Sequence, residues 1–430
     1  MSAAVLLAAS TAVVSRSGPV AAAQTGSCPA ASKVTSSQLR STVGLTRTSV
    51  TVGNISIISG PVPGLFQGAP YGVDAYFAMV NARGGVNGRR LVVSSKDDGF
   101  SGTQNQALAS QVAASDFAMV GNFSLFDNYG CAVVAANPAM PNVSSSLDPS
   151  TNNLPNTFSP TPIVPGTPLA GYEYLKKLYP SAITHVASLV SNVTTSVDQW
   201  KGQAAAMESV GYKFPYVRYI SPFESSYTTD VVNMRAKGIQ MVLLSNSTWG
   251  AESALVNEMN RQGFDPTVMM SNGSIYDPRF VKAAGGAVAA KGIWLIQAFS
   301  LYLGQDAKKI PAVGTFNSWM AKTHPGFTPD LYSVFGWSSA QLFVQALAAA
   351  GKNPTRGSVL AALAKITSFS ASGLIGTSNP AKKLPSNCVS FSQIENGAFV
   401  RVAPTTKASY TCAAPFYSSA ARGTLPRASR

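Results

Sequence analysis

The chain has 430 residues, 46% of them hydrophobic and 12% charged, a balance that describes a folded protein and excludes a disordered one. The formal charge is +14, yet Lys and Arg are dispersed, with no basic run and no helix-turn-helix or zinc-finger spacing, which excludes a dedicated nucleic-acid reader. No apolar run reaches the roughly 18 residues that would span a bilayer as a helix.

Met1 to Val14 is apolar, and Ala21-Ala22-Ala23 precede Gln24. This predicts a secretory signal-like segment over residues 1–23, although no Lys or Arg precedes Arg16. Residues 24–48 read as an N-terminal extension, and residues 1–48 together are not expected to supply a DNA-binding module. From Ser49 the chain alternates. A β-branched strand over Ser49–Ser59 leads to a helix over Tyr71–Arg83 that stops at Gly84-Gly85. A strand at Arg90–Lys96, a helix at Thr103–Ala114 and a strand at Phe117–Gly121 follow. Prolines at 149, 155, 160, 162 and 165 then break the rhythm. It resumes with a strand at His185–Val190 and a helix at Val197–Val210. Tyr216–Ile220, Thr228–Ala236, Ile239–Leu244, Glu252–Gln262 and Thr267–Ser271 continue the pattern. Strands alternating with helices of this length predict an α/β protein with parallel sheets covered on both faces.

In such sheets ligands bind beyond the carboxyl ends of the strands. The corresponding loops are Asn122-Phe123-Ser124, Val143 to Ser146, Asn192 to Ser196, Asn246-Ser247-Thr248 and Asn272-Gly273-Ser274. All are short, polar and uncharged, with Asp148 and Asp277 the nearest carboxylates. Residues of this kind also cap helices, but five such loops together predict a neutral, hydrogen-bonding cleft.

Cys28, Cys131, Cys388 and Cys412 are an even set, which allows three pairings. Cys388 and Cys412 flank a predicted hairpin whose turn is Asn396-Gly397, so the pairing Cys388–Cys412 is expected. Cys28–Cys131 then follows by elimination. No CxxC exists and His185 and His324 lie far from every cysteine, so no metal site and no cofactor are expected.

Ser59-Gly60-Pro61, Asn81-Ala82-Arg83-Gly84-Gly85-Val86-Asn87-Gly88-Arg89, Lys96-Asp97-Asp98, Val120-Gly121 and the Tyr332–Gly351 helix resemble the branched-chain amino-acid-binding family. These are type I periplasmic substrate-binding proteins of ABC transporters, and the resemblance covers about residues 49 to 405. It implies a two-lobed fold, each lobe a mostly parallel sheet flanked by helices, joined by hinge crossings near 160–165, 298–302 and 368–376. Lobe 1 would take residues 49–162 and 299–372, lobe 2 residues 163–298 and 373–412, leaving a tail at 413–430. The implied partners are a small-molecule solute and an ABC permease, with the chain acting as a monomer outside the cytoplasm. The implied ligand contacts are Phe66 in the first loop, Phe123, Ser124 and Leu125, then Ser144, Ser145 and Ser146 in lobe 1. In lobe 2 they are Thr195 and Ser196, Ser247 and Thr248, and Asn272.

One departure stands out. The family's ammonium-holding acid falls at or beside Asn272-Gly273, and Ser159 follows Phe158 where an arginine is common. A buried, unpaired ammonium costs several kcal/mol, so the resemblance with this change implies a ligand other than a standard branched-chain amino acid. Trp249 offers a further flat surface. An enzyme is not expected: no serine has a histidine base placed for it. The Gly336-Trp337-Ser338-Ser339-Ala340 run, superficially a nucleophile elbow, sits in a helical pattern. A ligand sensor that signals to a receptor or regulator is the alternative to transport.

Overall fold

Four parallel strands, β1 (Ser49–Ser56), β2 (Arg90–Asp97), β3 (Met119–Val120) and β4 (Asn142–Val143), form the first sheet in the order β2-β1-β3-β4. The computed structural model describes residues 28–162, 166–244, 247–406, 410–413 and 415–417. The predicted signal-like segment and most of the tail lie outside the described residues. β1 is an inner strand whose Val50, Val52 and Ile55 are at most 2% exposed. Its apolar character has that cause, because both faces of the sheet are covered. Val52 joins a core with Phe77, Trp337 and Phe343. Ile55 faces a separate cluster with Leu108 and Val112 of the helix Gly102–Ser115.

The helices Gly68–Asn81 and Leu331–Ala349 pack closely on this lobe. Two glycines set their separation. A Cβ at Gly72 would collide with the Ser333 carbonyl, and one at Gly336 with the Ala69 carbonyl. The Gly336–Ala340 run therefore lies inside a helix, and its glycine serves helix contact.

A second lobe follows, with β5 (Gly166–Pro168) ahead of its sheet. Its sheet contains β6 (Val186–Ser191), β7 (Tyr216–Ile220), β8 (Met241–Leu244), β9 (Val268–Ser271), β10 (Trp294–Gln297), β11 (Cys388–Glu395) and β12 (Ala398–Ala403). The order is β12-β11-β10-β9-β8-β6-β7, with β13 (Thr411–Cys412) added to β11. β6 to β10 run parallel, and β11 joins β10 antiparallel. Every residue of β6 and β8 is buried. β5 pairs outside this sheet, with β14 (Pro415–Tyr417).

Three connecting segments lie side by side between the sheets. Ser300 N donates to Leu374 O at 2.9 Å, and Gly376 N to Ala298 O at 2.6 Å. The Ser378 hydroxyl donates to Pro160 O at 2.6 Å.

The β11–β12 turn has positive φ at Asn396 (50°) and Gly397 (78°), the requirement of a two-residue type I′ hairpin. The Cys388–Cys412 disulfide is formed. Cys412 reaches it from β13, which returns to pair with β11, and not from the second hairpin arm. Cys28 and Cys131 are free thiols, which corrects the pairing reached by elimination. They do touch: a hydrogen bond to Cys131, together with burial, pushes the Cys28 thiol far up.

Candidate ligand cleft

Between the two sheets lies a cavity of about 380 Å³. Its lobe 1 wall is aromatic. The Phe66 and Phe123 rings meet edge-on at 4.8 Å, Tyr332 stands 4.5 Å from Phe66, and Phe335 stacks on Phe123 at 5.4 Å. Phe66 is placed by the turn after β1, where its N–H donates to Ile57 O at 3.0 Å. Tyr332 and Phe335, three apart, share one face of a helix whose start is fixed by Asp330. That carboxylate accepts from Ser333 N at 2.8 Å in a capping box.

The lobe 2 side carries polar groups beside apolar Tyr172, Ile296 and Val389. Ser196, Asp198, Gln199 and Gln203 come from the helix Thr194–Ser209. Ser247 and Thr248 precede the helix Trp249–Arg261, and Asn272, Gly273 and Ser274 follow β9. The Thr248 hydroxyl caps Ala251 N at 3.2 Å, and Asn272 Oδ1 accepts from Ser274 N at 2.9 Å. These two residues thus shape their loops as well as lining the cavity.

Seven residues named from the sequence line this cavity together: Phe66, Phe123, Leu125, Ser196, Ser247, Thr248 and Asn272. Ser124, Ser144, Ser145, Ser146 and Thr195 do not, because their hydroxyls have other work. The Ser124 hydroxyl donates to Asp98 at 2.5 Å and that of Ser146 to Asp127 at 2.6 Å. Ser144 Oγ accepts from Asn122 N at 3.1 Å, and Ser145 shares a hydrogen bond with Thr161 at 2.8 Å. Buried carboxylates need donors, and short hydroxyls at neighbouring strand ends supply them. Ser124, Ser144 and Ser146 accordingly face a separate small void of about 30 Å³ inside lobe 1. Thr195 donates to Leu125 O at 3.0 Å.

The expectation of a carboxylate-free cleft is also corrected. Asp198 lines the cavity, with Oδ1 3.2 Å from Lys201 Nζ. It lies one turn into a helix, beyond the loop that the strand-end rule inspects. Asp148 and Asp277 line nothing here. Asp148 accepts from Thr151 N and Ser150 Oγ at 2.7 Å each, and Asp277 is held by Arg279 at 2.5 Å. Trp249 carries that Arg279 guanidinium on its ring at 5.3 Å and does not reach the cavity. Neither histidine lines the cavity; His324 stacks on Tyr71 at 3.7 Å. Among the described residues, no cluster of His, Cys, Asp and Glu could hold a metal ion.

Two lobes, parallel sheets and a cavity between them meet a direct match: the family model for periplasmic binding proteins covers residues 49–398. The chain belongs to the periplasmic binding protein family. An amino acid binding protein of Pseudomonas aeruginosa is 22% identical over 289 residues, 64% of this chain and 71% of that protein. A fatty acid ABC transporter substrate-binding protein from Thermomonospora curvata has a TM-score of 0.68 at 17% identity, covering 89% of this chain and 96% of that one. A branched-chain amino acid transporter substrate binding protein from Streptococcus pneumoniae, solved with isoleucine, has a TM-score of 0.66 at 16% identity, covering 83% of this chain and 100% of that one. At such identities these structures speak to fold, not ligand.

Behind the Asn272 side of this periplasmic binding protein's cavity stands Glu252, 3% exposed. Its Oε2 accepts from Ser274 Oγ at 3.4 Å. Burial holds its carboxyl well above the usual carboxylate range, and it is not among the residues that line the cavity. Asp198 is therefore the one charged side chain on the cavity surface among the described residues.

Proposed function

We propose that this periplasmic binding protein captures a small solute with an apolar body and an uncharged or carboxylate-bearing end, and hands it to the permease of an ABC importer. It works outside the cytoplasm, as a monomer and without catalysis. The observation that carries the reading is a cavity with an aromatic cluster on the lobe 1 side and hydroxyl and amide groups, set among apolar side chains, on the lobe 2 side. Such a pocket takes up a ring or alkyl body on one side and fixes a few polar atoms on the other. The lobes would be residues 49–162 with 299–372, and 163–298 with 373–412. They would hinge about the three adjacent connecting segments and sandwich the solute.

Thermal-shift screening of the mature protein against a metabolite library tests this. A specific solute at a hundredfold excess over its Kd adds about 2.7 kcal/mol to stability. Small-angle scattering should then show a smaller radius of gyration with that solute. A hit that leaves the scattering profile unchanged at saturation removes hinge closure from the account.

A further inference from the structure

Gln297 ends β10 and lines the cavity, yet it is only 2% exposed. Its backbone pairs with Ser390 in the β10–β11 ladder. Its side chain does not pair: both Oε1 and Nε2 are buried without a hydrogen-bond partner. An unpaired buried polar group destabilises the fold, and a leucine or methionine would fill the same space without that penalty. Nothing in its packing calls for an amide. Its place gives a functional reason, because Gln297 stands at the carboxyl end of a parallel strand, where ligands of open α/β sheets bind.

Resting on the solute-capture reading above, we propose that Gln297 reads the ligand's polar end, and that this end is an uncharged amide-type group. A glutamine amide presents a donor beside an acceptor. A carboxamide, lactam or ureide presents the complementary pair and satisfies both. A carboxylate offers acceptors alone and an ammonium donors alone, so either leaves half of Gln297 unpaired. The surroundings agree. Among the described residues, no Lys or Arg lines the cavity to neutralise a carboxylate, and Asp198 already has Lys201 as its ion partner. The body of the ligand then lies on Phe66, Phe123 and Phe335, flat surfaces suited to a ring or branched chain.

Calorimetry with phenylacetamide, phenylacetate and phenethylamine, which share one carbon skeleton, tests the assignment on the parent, Gln297→Leu and Gln297→Glu. The parent should bind the amide about tenfold or more tightly than either ion, the scale of one satisfied polar pair. Gln297→Leu should lose that affinity while its ligand-free melting temperature stays level or rises, since an unpaired buried amide has gone. A purely structural glutamine would move the melting temperature the other way. Gln297→Glu should recover amide binding at low pH, where its carboxyl again holds a donor beside an acceptor, and lose it as pH rises. Equal or tighter binding of either ion by the parent overturns the assignment, as does retained amide affinity in Gln297→Leu. Failure of the parent to bind any of the three also overturns it. A library hit of another chemistry would sustain solute capture while sinking the amide.

Discussion

The Thr195 hydroxyl, in the first turn of a lobe 2 helix, donates to the Leu125 carbonyl of lobe 1 across 3.0 Å. Leu125 lines the cavity and Thr195 is 1% exposed, so this bond closes one side of the cleft. Arg279 makes a second bridge: held by Asp277 of lobe 2, its guanidinium lies 3.8 Å from Asp330, which caps the lobe 1 helix. The conformation is therefore one in which the lobes touch.

Thr195→Val keeps the shape and removes the donor. One neutral hydrogen bond contributes about 1 kcal/mol, so the ligand-free equilibrium should move about fivefold toward the open form. Small-angle scattering should report a larger radius of gyration for the variant than for the parent. Identical profiles would mean that other contacts hold the lobes together.

Asp127 governs part of the pH response. Burial, reinforced by the nearby Asp148 charge, pushes its carboxyl up to about 7. The folded value lies above the ordinary 3.8, so the folded state binds the extra proton between those values. Its stabilising contribution is complete below the ordinary value and is lost as pH rises through about 7. Asp330, raised by burial to about 6, acts with the same sign. Asp127→Asn keeps an acceptor for Leu147 N and Asp148 N but does not titrate. Its melting temperature relative to the parent should climb between about pH 5 and pH 8. A difference that stays constant across that window would show that Asp127 does not titrate there.

The strand and helix alternation was legible because its causes are local. β-branched runs make buried strands, and the Asn81–Arg89 stretch places residues at positive φ where the chain must turn: Gly84 (95°), Gly85 (72°), Asn87 (50°) and Gly88 (78°). The cleft was legible only in part. A serine at a strand end looks the same whether it lines a cavity, as Ser247 does, or serves a buried carboxylate, as Ser124 does for Asp98. That choice depends on where the carboxylates fold to. Asp198 escaped because helix docking, not its own loop, turns it to the cavity. Gln297 escaped because β10 is short and runs straight into a crossing segment, with no turn residues to mark its end.

The disulfide gives a covalent check. Peptide mapping of exported protein should recover Cys388 linked to Cys412, and Cys388→Ser should lower stability by about 3 kcal/mol for a loop of this size. Both cysteines found as free thiols would remove the cross-link from the stability argument. The same maps should show Cys28 alkylated slowly, because its thiol is pushed up by the Cys131 contact and by burial and the thiolate is the reactive form. Fast alkylation of Cys28 would contradict that environment.

Leucine decides whether the Asn272 substitution has changed ligand class. An α-ammonium entering this cavity needs an anion. Asn272 supplies none, Glu252 is buried and does not line the cavity, and Asp148 and Asp277 are engaged elsewhere. Only Asp198 remains, with Lys201 3.2 Å from its carboxylate. Its side chain is 38% exposed, so solvent weakens what it could give an ammonium. The α-carboxylate fares no better, since no Lys or Arg lines the cavity among the described residues, although a helix N-terminus can accept an anion by itself. Leucine, isoleucine and valine should therefore bind weakly or not at all in calorimetry, and Asp198→Asn should leave that result unchanged. Micromolar leucine affinity in the parent that Asp198→Asn abolishes would overturn this reading and make Asp198 the acid that Asn272 lacks.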